Sequence, residues 1–172
     1  PEERAPESRP PGDSSARYGA NMRPVGESWD KPESPIFCYP YARSREALEE
    51  LRKNDEWDPY NGIKLEYIDP TTGGSAMPTM STFLQLLPRG FKTEAYQTTE
   101  NTVFSPVEGS GRVIAGEPGQ ELILEWKPRD IFAVPCWVPY RFEADSDATL
   151  FSYTDRTAQQ KLGFWREMRG NA

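Results

Sequence analysis

The pattern of apolar and polar positions predicts β structure for most of the chain beyond residue 60. In residues 63–68, Ile63, Leu65 and Tyr67 fall on one face of an extended strand and alternate with polar positions. Strand-like runs recur at residues 82–87, 102–107, 111–115, 122–126, 131–134, 139–143 and 149–153, separated by turns rich in Gly, Pro, Asp and Ser. Many short strands at near-regular spacing predict an all-β sandwich or barrel.

Helical patterns flank the predicted strands on both sides. A short helix has Ala47, Leu48 and Leu51 on one face, and Ser44 is its predicted N-cap. Near the other end, Asp155 is the predicted cap of a terminal helix over about residues 157–169. The apolar side chains of that helix are Leu162, Phe164, Trp165 and Met168. Its apolar stripe either docks on a neighbouring domain or subunit, or covers an open end of the chain's own barrel.

Residues 1–34 differ in composition from the rest of the chain. They contain six prolines, many charges and almost no aliphatic side chain. Such a segment cannot bury enough apolar surface to fold alone. It is therefore either a connector or arm held against a partner, or a flexible tail. The domain itself is predicted over residues 35–172.

Charge and residue usage exclude several classes of function. The 172-residue chain has 20 basic and 27 acidic side chains and a net charge of −7, which argues against a nucleic-acid or anionic-membrane surface. No apolar run is long enough to span a bilayer, and the first residues lack a secretory signal pattern. Histidine is absent. Ser-His-Asp and Cys-His catalysis, and histidine-ligated metals, therefore cannot be built from this chain alone.

The two cysteines, Cys38 and Cys136, are too few for a disulfide scaffold or a four-thiolate zinc site. Free cysteine is commonly a buried core residue, so we predict two reduced structural thiols. One long-range disulfide is the alternative. Two reduced thiols would indicate a reducing compartment.

Two short runs have a spacing that is informative even though their side chains are not the expected ones. Gly90 is followed by five residues, then by Tyr96-Gln97-Thr98, by Thr102 three residues later and by Gly109 six residues after that. Pro135-Cys136-Trp137 is followed by two residues and then by Tyr140. This spacing resembles the two motifs of cupins, the double-stranded β-helix or jelly-roll barrels. In cupins, histidines and a glutamate at these positions bind a metal.

The four positions that would hold cupin metal ligands are here Tyr96, Thr98, Thr102 and Tyr140. Equal-parity positions share one face of a strand, so the first two are expected to point together into the barrel. Neutral hydroxyls are poor ligands for a divalent ion without imidazole or carboxylate support. We therefore predict a degenerate metal site whose residues fill the barrel. Further candidate interior residues are Phe104, Trp137 and Phe142.

An all-oxygen manganese or magnesium site is the first alternative. Its candidate ligands are Glu94, Glu100 and Glu143. Glu143 is expected to face away from Tyr140, since neighbouring positions of a strand point to opposite faces. The other two carboxylates lie near predicted strand ends, where exposure is the default.

The second alternative is a self-sufficient binding protein or metal-free isomerase that uses the interior around Tyr96, Thr98 and Tyr140. The two tyrosines could form an acid/base pair only if a nearby cation lowered their pKa. Arg141 is adjacent in sequence, but alternation places it on the opposite face of the strand. An open interior pocket of several hundred Å3 would favour binding, and a filled interior would favour a scaffold.

Several longer runs resemble gentisate 1,2-dioxygenases and their relatives that act on 1-hydroxy-2-naphthoate and salicylate. The resemblance extends over about residues 34–169, and its separated runs occur in the same order. The runs are Ser34-Pro35-Ile36-Phe37-Cys38-Tyr39-Pro40-Tyr41-Ala42-Arg43, Pro70-Thr71-Thr72-Gly73-Gly74, Met77-Pro78-Thr79, Phe83-Leu84-Gln85-Leu86-Leu87-Pro88-Arg89-Gly90-Phe91, Pro128-Arg129-Asp130, Val134-Pro135-Cys136-Trp137 and Lys161-Leu162-Gly163-Phe164-Trp165-Arg166-Glu167.

The resemblance implies a half of a bicupin enzyme. In that family one cupin half carries Fe(II) and opens the aromatic ring of the substrate with O2, and the other half has no ligands. This chain resembles the second, C-terminal half, because positions 96, 98 and 140 are not histidine. The implied partner is an iron-binding cupin upstream of Pro1, with residues 1–34 as the end of the connection. The family also implies a cytoplasmic homotetramer in aromatic catabolism, in which this half has a scaffolding role and is inactive alone.

Overall fold

Two antiparallel five-stranded sheets face each other and make up most of the fold, which confirms the all-β prediction. The computed structural model describes residues 10–54 and 56–170. The helices are α1 (Asp13–Tyr18), α2 (Tyr41–Arg52) and α3 (Arg156–Lys161). The strands are β1 (Ile63–Glu66), β2 (Ser81–Leu87), β3 (Tyr96–Thr98), β4 (Thr102–Glu108), β5 (Gly111–Ala115), β6 (Leu122–Trp126), β7 (Phe132–Val134), β8 (Tyr140–Ala144), β9 (Ala148–Thr154) and β10 (Glu167–Arg169).

The strand order shows a jelly-roll connection rather than a simple meander. One sheet runs β1-β2-β9-β4-β7 and the other runs β10-β3-β8-β5-β6. Sequence neighbours such as β3 and β4 therefore lie in different sheets. Within β8, the buried Tyr140, Phe142 and Ala144 alternate with the part-exposed Arg141 and Glu143. This alternation places the apolar face of the strand between the sheets.

The core has two parts. Between the sheets lies an apolar cluster that includes Leu87, Tyr96, Phe104, Val113, Trp126, Phe132, Val134, Tyr140, Phe142 and Leu150. On the other side of β1 and β2, Leu48 of α2 packs with Ile63, Leu84 and Leu86. The helix therefore covers the outer face of the first sheet, because its apolar face needs a partner and the sheet supplies one.

The boundary of the second helix differs from the prediction. We predicted Ser44 as its N-cap, but the helix begins at Tyr41, directly after Pro40. Ser44 lies inside the first turn, where its hydroxyl donates a hydrogen bond of 3.4 Å to the Pro40 carbonyl. Pro40 occupies the N-cap position with an extended backbone (φ −62°, ψ 124°), so the first turn starts earlier than the serine signal indicates.

The C-terminal helix is much shorter than predicted. It ends at Lys161, and Gly163 then adopts a φ of 75°, a left-handed conformation that favours glycine and breaks the helix. Residues Glu167–Arg169 form β10, which pairs antiparallel with β3. The predicted apolar stripe therefore does not exist as a helix face. Leu162 and Phe164 are exposed, and the Trp165 indole turns towards Glu100.

The described part of the predicted connector, residues 10–34, contains the short helix α1. The buried Tyr18 packs edge-on against Trp29, with ring centroids 6.1 Å apart. The Ser34 amide donates a 2.9 Å hydrogen bond to the Ala76 carbonyl, which ties the end of this segment to the domain. Residues 1–9 of the predicted connector lie outside the described residues. The domain boundary at residue 34 remains a prediction.

Two smaller expectations concern the thiols and the membrane. Cys38 and Cys136 are both free, in agreement with the prediction of two unbonded thiols, but both are exposed, so the expected structural role in a buried core was wrong. Cys38 lies in the loop before α2 and Cys136 in the loop between β7 and β8. Within residues 10–54 and 56–170, no helix has the length and apolar character needed to cross a membrane.

Candidate functional site

Four aromatic rings fill the space between the sheets around the predicted ligand positions Tyr96 and Tyr140. Tyr96 on β3 pairs directly with Tyr140 on β8, and their ring centroids lie 5.9 Å apart. Phe104, from β4 of the opposite sheet, lies 5.8 Å from Tyr140 and 5.1 Å from Phe142. All four side chains are buried. Edge-to-face contacts at these distances are favourable packing and leave no ligand-sized space between the rings.

The two threonines of the predicted site are also buried, Thr98 on β3 and Thr102 on β4. The Thr98 carbonyl accepts a 2.6 Å hydrogen bond from the Trp137 amide. The predicted ligand positions therefore come from three strands in two sheets, as they would in a jelly-roll metal site. Their side chains, however, are two neutral phenols and two neutral alcohols, which do not fit Fe(II).

Trp137 corrects one prediction. We placed it in the barrel interior, but its side chain is 44% exposed and its φ is 62°. It lies in the loop between β7 and β8, outside any strand, so strand alternation does not govern where its ring points. Its carbonyl accepts a 2.7 Å hydrogen bond from Gln97. The indole lines a groove of about 560 Å3 together with Tyr140, Pro139 and Met168.

A polar cluster lies against the aromatic cluster and was missed from the sequence. Arg156 forms a bidentate ion pair with Glu100 at 2.6 and 3.1 Å, and the Trp165 indole donates to the same carboxylate at 2.9 Å. The Tyr96 hydroxyl donates a 2.9 Å hydrogen bond to Glu167 and accepts a longer one from Arg156 at 3.4 Å. The Glu100 side chain is only 1% exposed, so this ion pair is buried.

Sequence reasoning treated Glu100 as an exposed carboxylate and did not single out Arg156 at all. Both residues lie where strands end, and their pairing joins the turn between β3 and β4 to α3 across 56 positions of the chain. No local pattern encodes such a contact. The one available signal is that Arg156 directly follows the predicted helix cap Asp155, which places it at the base of a helix that must pack on the barrel.

The electrostatics of the two tyrosines oppose a role in proton transfer. Burial raises the pKa of Tyr96 far above its ordinary value, and Arg156 offsets this only partly. Burial is also the main cause that raises the pKa of Tyr140, with Glu100 adding to it. Both phenols are therefore neutral over the physiological range, and an acid/base pair would need the opposite shift.

The three candidate carboxylate ligands do not converge either. Glu143 faces outward, where Arg112 donates a 2.9 Å hydrogen bond to its carboxylate and lowers its pKa. Glu100 is engaged by Arg156. Among the described residues, no group of three or more His, Cys, Asp or Glu side chains could hold a metal ion. The carboxylates present thus do not fit the all-oxygen manganese or magnesium site.

One more ionisable group lies beside the polar cluster. Lys64 on β1 lines a cavity of about 470 Å3 together with Phe83, Arg156, Arg169 and Asp58. Its ammonium lies 4.7 Å above the Phe83 ring and donates a long hydrogen bond of 3.4 Å to Asn61. Burial lowers the pKa of Lys64 to about 8, and repulsion from Arg156 contributes.

The antiparallel jelly-roll barrel, with the ligand spacing of its two motifs and hydroxyl or aromatic side chains at those positions, defines a cupin without the usual histidines. No family model matches the chain. The chain is 56% identical over 161 residues to gentisate 1,2 dioxygenase 1 of Aquipseudomonas alcaligenes, covering 94% of this chain and 45% of that protein. It is 34% identical over 160 residues to 5-aminosalicylate 1,2-dioxygenase of Comamonas sp, covering 91% of this chain and 41% of that protein.

A solved structure agrees with these sequence matches. The chain superposes with a TM-score of 0.83 on salicylate 1,2-dioxygenase from Pseudoaminobacter salicylatoxidans, crystallised with gentisate, at 26% identity and over 93% of this chain and 44% of that one. The chain belongs to the gentisate 1,2-dioxygenase-like cupins, as the sequence resemblance indicated, and fits their C-terminal half. It spans less than half the length of these relatives.

Proposed function

We propose that this chain is the metal-free C-terminal cupin half of an Fe(II)-dependent ring-cleaving dioxygenase that acts on gentisate or a related hydroxyaryl carboxylate. Its role is to support the catalytic half and the assembly, without contributing reacting groups. The observation that carries this proposal is the packed interior, in which Tyr96, Phe104, Tyr140 and Phe142 occupy the region of the ligand positions. The relatives' activities supply the substrate class.

The upstream half of such an enzyme would hold the iron and the aromatic substrate. Fe(II) at an open site supplies Lewis-acid and O2 chemistry there. In this half, the Glu100–Arg156 pair and the strand pairing of β10 hold the C-terminal end of the chain on the barrel. A cytoplasmic homo-oligomer, tetrameric as the family resemblance implies, is part of the same proposal.

Metal analysis and oxygen uptake test the proposal. The chain alone and a longer protein that adds the upstream half are purified, loaded with Fe(II) anaerobically and assayed with gentisate, salicylate and 1-hydroxy-2-naphthoate. We expect iron close to one equivalent and oxygen uptake in the longer protein, and neither in the chain alone. Stoichiometric iron together with turnover by the chain alone would overturn the metal-free role.

A matched pair of variants separates scaffolding from catalysis in the longer protein. Tyr140→Phe removes the hydroxyl from the region of the ligand positions and keeps the ring packing, so we expect the kcat of the longer protein to stay within about twofold of its unchanged value, because no reacting group is lost. Phe104→Ala opens the packed interior, so the longer protein should lose stability. A kcat that falls by two or more orders of magnitude in the folded Tyr140→Phe variant would contradict the proposal.

The packing of the rings opposes the alternative, a ligand-binding or isomerase function of the interior around Tyr96, Thr98 and Tyr140. It requires space between rings that are in van der Waals contact, and it requires a phenol with a lowered pKa. The shifts of both tyrosines go the other way.

A further inference from the structure

Lys64 lines the cavity of about 470 Å3 beside the polar cluster and has only weak partners for its charge. The side chain is part-exposed, so a small molecule in the cavity can reach it. Among the described residues, its ammonium lies 4.7 Å from the centroid of the Phe83 ring and donates a 3.4 Å hydrogen bond to Asn61. A ring face and one long hydrogen bond replace little of the hydration that an ammonium loses in a cavity. The charged form of Lys64 is therefore poorly supported.

Two arginines line the same cavity, and each is already paired with a carboxylate. Arg156 forms its bidentate ion pair with Glu100 at 2.6 and 3.1 Å. Arg169 bonds to Asp58 at 2.8 Å. The Arg156 guanidinium lies 4.9 Å from the same ring centroid as the Lys64 ammonium, so the two positive charges are no more than about 10 Å apart. Arg156 therefore repels the ammonium of Lys64.

The carboxylates around Lys64 favour its ammonium but do not outweigh the other groups. Glu66, on the same strand, accepts a 2.8 Å hydrogen bond from the Ser75 hydroxyl, and Glu56 also lines the cavity. Glu66 and the two carboxylates held by the arginines raise the pKa of Lys64. Burial, the largest cause, and Arg156 act against them and lower this pKa to about 8. A substantial fraction of Lys64 is therefore a neutral amine near physiological pH.

A neutral lysine amine in a cavity is a nucleophile. Desolvation and a neighbouring cation are two means by which proteins activate lysine in this way. At pH 8 about half of Lys64 is the neutral amine, whereas a lysine with the ordinary pKa of 10.5 is neutral in only about 0.3% of molecules. Because Arg156 and Arg169 line the cavity, they favour a small electrophile whose adduct is anionic. Dissolved CO2 meets both conditions.

We propose that Lys64 is a carbamylation site, at which its neutral ε-amine adds to dissolved CO2 and forms a carbamate in this cavity. The Nζ lone pair forms a bond to the carbon of CO2, one carbon–oxygen π bond opens to give the carboxylate, and the proton released from Nζ goes to water. The step needs no electron donor or acceptor, and it is reversible. The inference rests on the cavity and its charges, and it goes beyond the proposed function.

The carbamate reverses the sign of the charge on the side chain and with it the effect of the surroundings. Arg156 repels an ammonium and attracts a carbamate, whereas the paired carboxylates act in the opposite sense. The Nη1 group of Arg156 donates no hydrogen bond within the described residues, so this arginine retains a donor for an anion. The modification also removes the poorly supported positive charge of Lys64.

Carbon-13 NMR under labelled CO2 tests the modification. The chain and its Lys64→Arg variant are equilibrated with 13C-labelled CO2 and bicarbonate in sealed tubes at about pH 8. We expect a carbamate carbon resonance in the unchanged chain that is absent from Lys64→Arg, because arginine keeps the positive charge but has no nucleophilic amine. The matched control is Lys53→Arg, at an exposed lysine just after α2, which should keep the resonance. The α-amino group also forms a carbamate, and its resonance is the reference in all three proteins.

Chemical trapping locates the carbamate without any variant. Triethyloxonium ion converts carbamates to stable ethyl esters, and mass spectrometry of the digested chain then measures the modified fraction at each lysine. We expect at least about tenfold more trapped carbamate at Lys64 than at Lys53 at about pH 8. Conversion of an ammonium to a carbamate releases two protons, so at constant CO2 pressure the fraction at Lys64 should fall steeply from about pH 8 to about pH 6.5. This measurement stands even if Lys64→Arg does not fold.

Four results would overturn the proposal. They are a chain that shows only the α-amino carbamate, a Lys64→Arg variant that keeps the second resonance, equal trapping at Lys64 and Lys53, and loss of the Lys64 carbamate in the longer protein. The first result would mean that CO2 does not react with Lys64, and the last would mean that the upstream half covers the cavity. None of these measurements involves iron or substrate, so the proposed function does not depend on their outcome.

Discussion

Two adjoining regions of the barrel differ in how their buried side chains are held. The aromatic region, Phe104, Tyr140 and Phe142, is apolar, and its rings touch edge to face. The polar region is built around the Glu100–Arg156 ion pair, with Trp165 and Glu167 as further partners. Tyr96 belongs to both, because its ring packs against Tyr140 and its hydroxyl bonds to Glu167.

This difference shows what each region contributes to the stability and the arrangement of the fold. Burial of the rings removes apolar area from water, so the aromatic region supplies free energy of folding directly. A buried ion pair gains little net energy, because desolvation of both charges offsets their attraction. Removing only one residue of the pair is nevertheless costly, because the remaining buried charge then has no partner. The polar region therefore determines which arrangement of α3 and β10 is allowed, and the aromatic region supplies much of the stability.

The largest expected effect comes from opening the aromatic region. Phe104 is fully buried, so Phe104→Ala should lower the free energy of unfolding by about 3–5 kcal/mol, the sum of lost transfer energy and a cavity. Urea unfolding followed by tryptophan fluorescence measures it. Phe164→Ala is the control, since Phe164 is 65% exposed and its removal should change the stability by less than about 0.5 kcal/mol. Equal losses would mean that the interior is not packed as described.

The next effect comes from breaking the polar region on one side only. Arg156→Met leaves Glu100 buried without its cation and removes the guanidinium from the faces of Phe83 and Trp165, so we expect a loss of about 3 kcal/mol. Adding Glu100→Met should restore about 2 kcal/mol of it, because no uncompensated charge remains.

An exposed ion pair provides the comparison for this double-mutant cycle. Lys53→Met removes the partner of Glu50 on the surface of α2, where we expect less than about 0.5 kcal/mol. A double variant that is no more stable than Arg156→Met alone would contradict the view that the cost is an unpaired charge.

A smaller effect distinguishes the two tyrosines at the junction of the regions. Tyr96→Phe removes the hydrogen bond to Glu167 and should cost about 1 kcal/mol. Tyr140→Phe should change the stability by less than about 0.5 kcal/mol, because within the described residues its hydroxyl forms no hydrogen bond. Thermal unfolding of the two variants side by side measures the difference. A larger loss of stability for Tyr140→Phe than for Tyr96→Phe would place the polar contact on β8 instead of β3.

The smallest effect is a gain of stability that depends on pH. The pKa of Lys64 is lowered to about 8 by burial and by Arg156, although Glu100, Asp58 and Glu66 act in the opposite direction. Between about pH 8 and the unfolded value of 10.5, the unfolded chain binds more protons than the folded chain, so this group makes stability rise with pH. Below pH 8, the full cost of the buried charge is present.

Lys64→Met should therefore stabilise the protein at pH 7 by about 1 kcal/mol. The gain is small because part of the Lys64 side chain is exposed to solvent, which screens its charge. The gain should shrink from pH 8 and be gone above 10.5. Unfolding curves at several pH values measure it. Lys92→Met, at an exposed lysine, should show no such trend. A gain that grows with pH would contradict the lowered pKa.

The strands that could be predicted from the sequence are those with enough residues to show a period. β5 and β6 coincide with the predicted runs, and β2, β4, β8 and β9 differ from them by one residue at an end or at both. The strand β3 was expected only through the motif spacing of Tyr96 and Thr98, and β10 was not recognised. The residues of β10 were instead assigned to a helix, because Trp165 and Met168 happen to have helical spacing. Pairing with β3 decides their conformation.

The candidate site divides in the same way. The spacing of Tyr96, Thr98, Thr102 and Tyr140 located residues that the fold buries in and around one region. Trp137 was misplaced because a left-handed residue in a loop does not follow strand alternation. The Glu100–Arg156 pair was missed because it joins distant positions with no shared pattern.

By itself, the sequence determined the class of fold, the resemblance to gentisate 1,2-dioxygenase-like cupins and the absence of histidine from every ligand position. These are properties of residue type and spacing, and they do not depend on the three-dimensional structure. Only the tertiary structure decided that Glu100 is buried with Arg156, that residues 167–169 form a strand and that, within the described residues, β6 has no strand on its outer side. Those outcomes depend on which distant segments meet, and the free energy of such contacts exceeds local propensity.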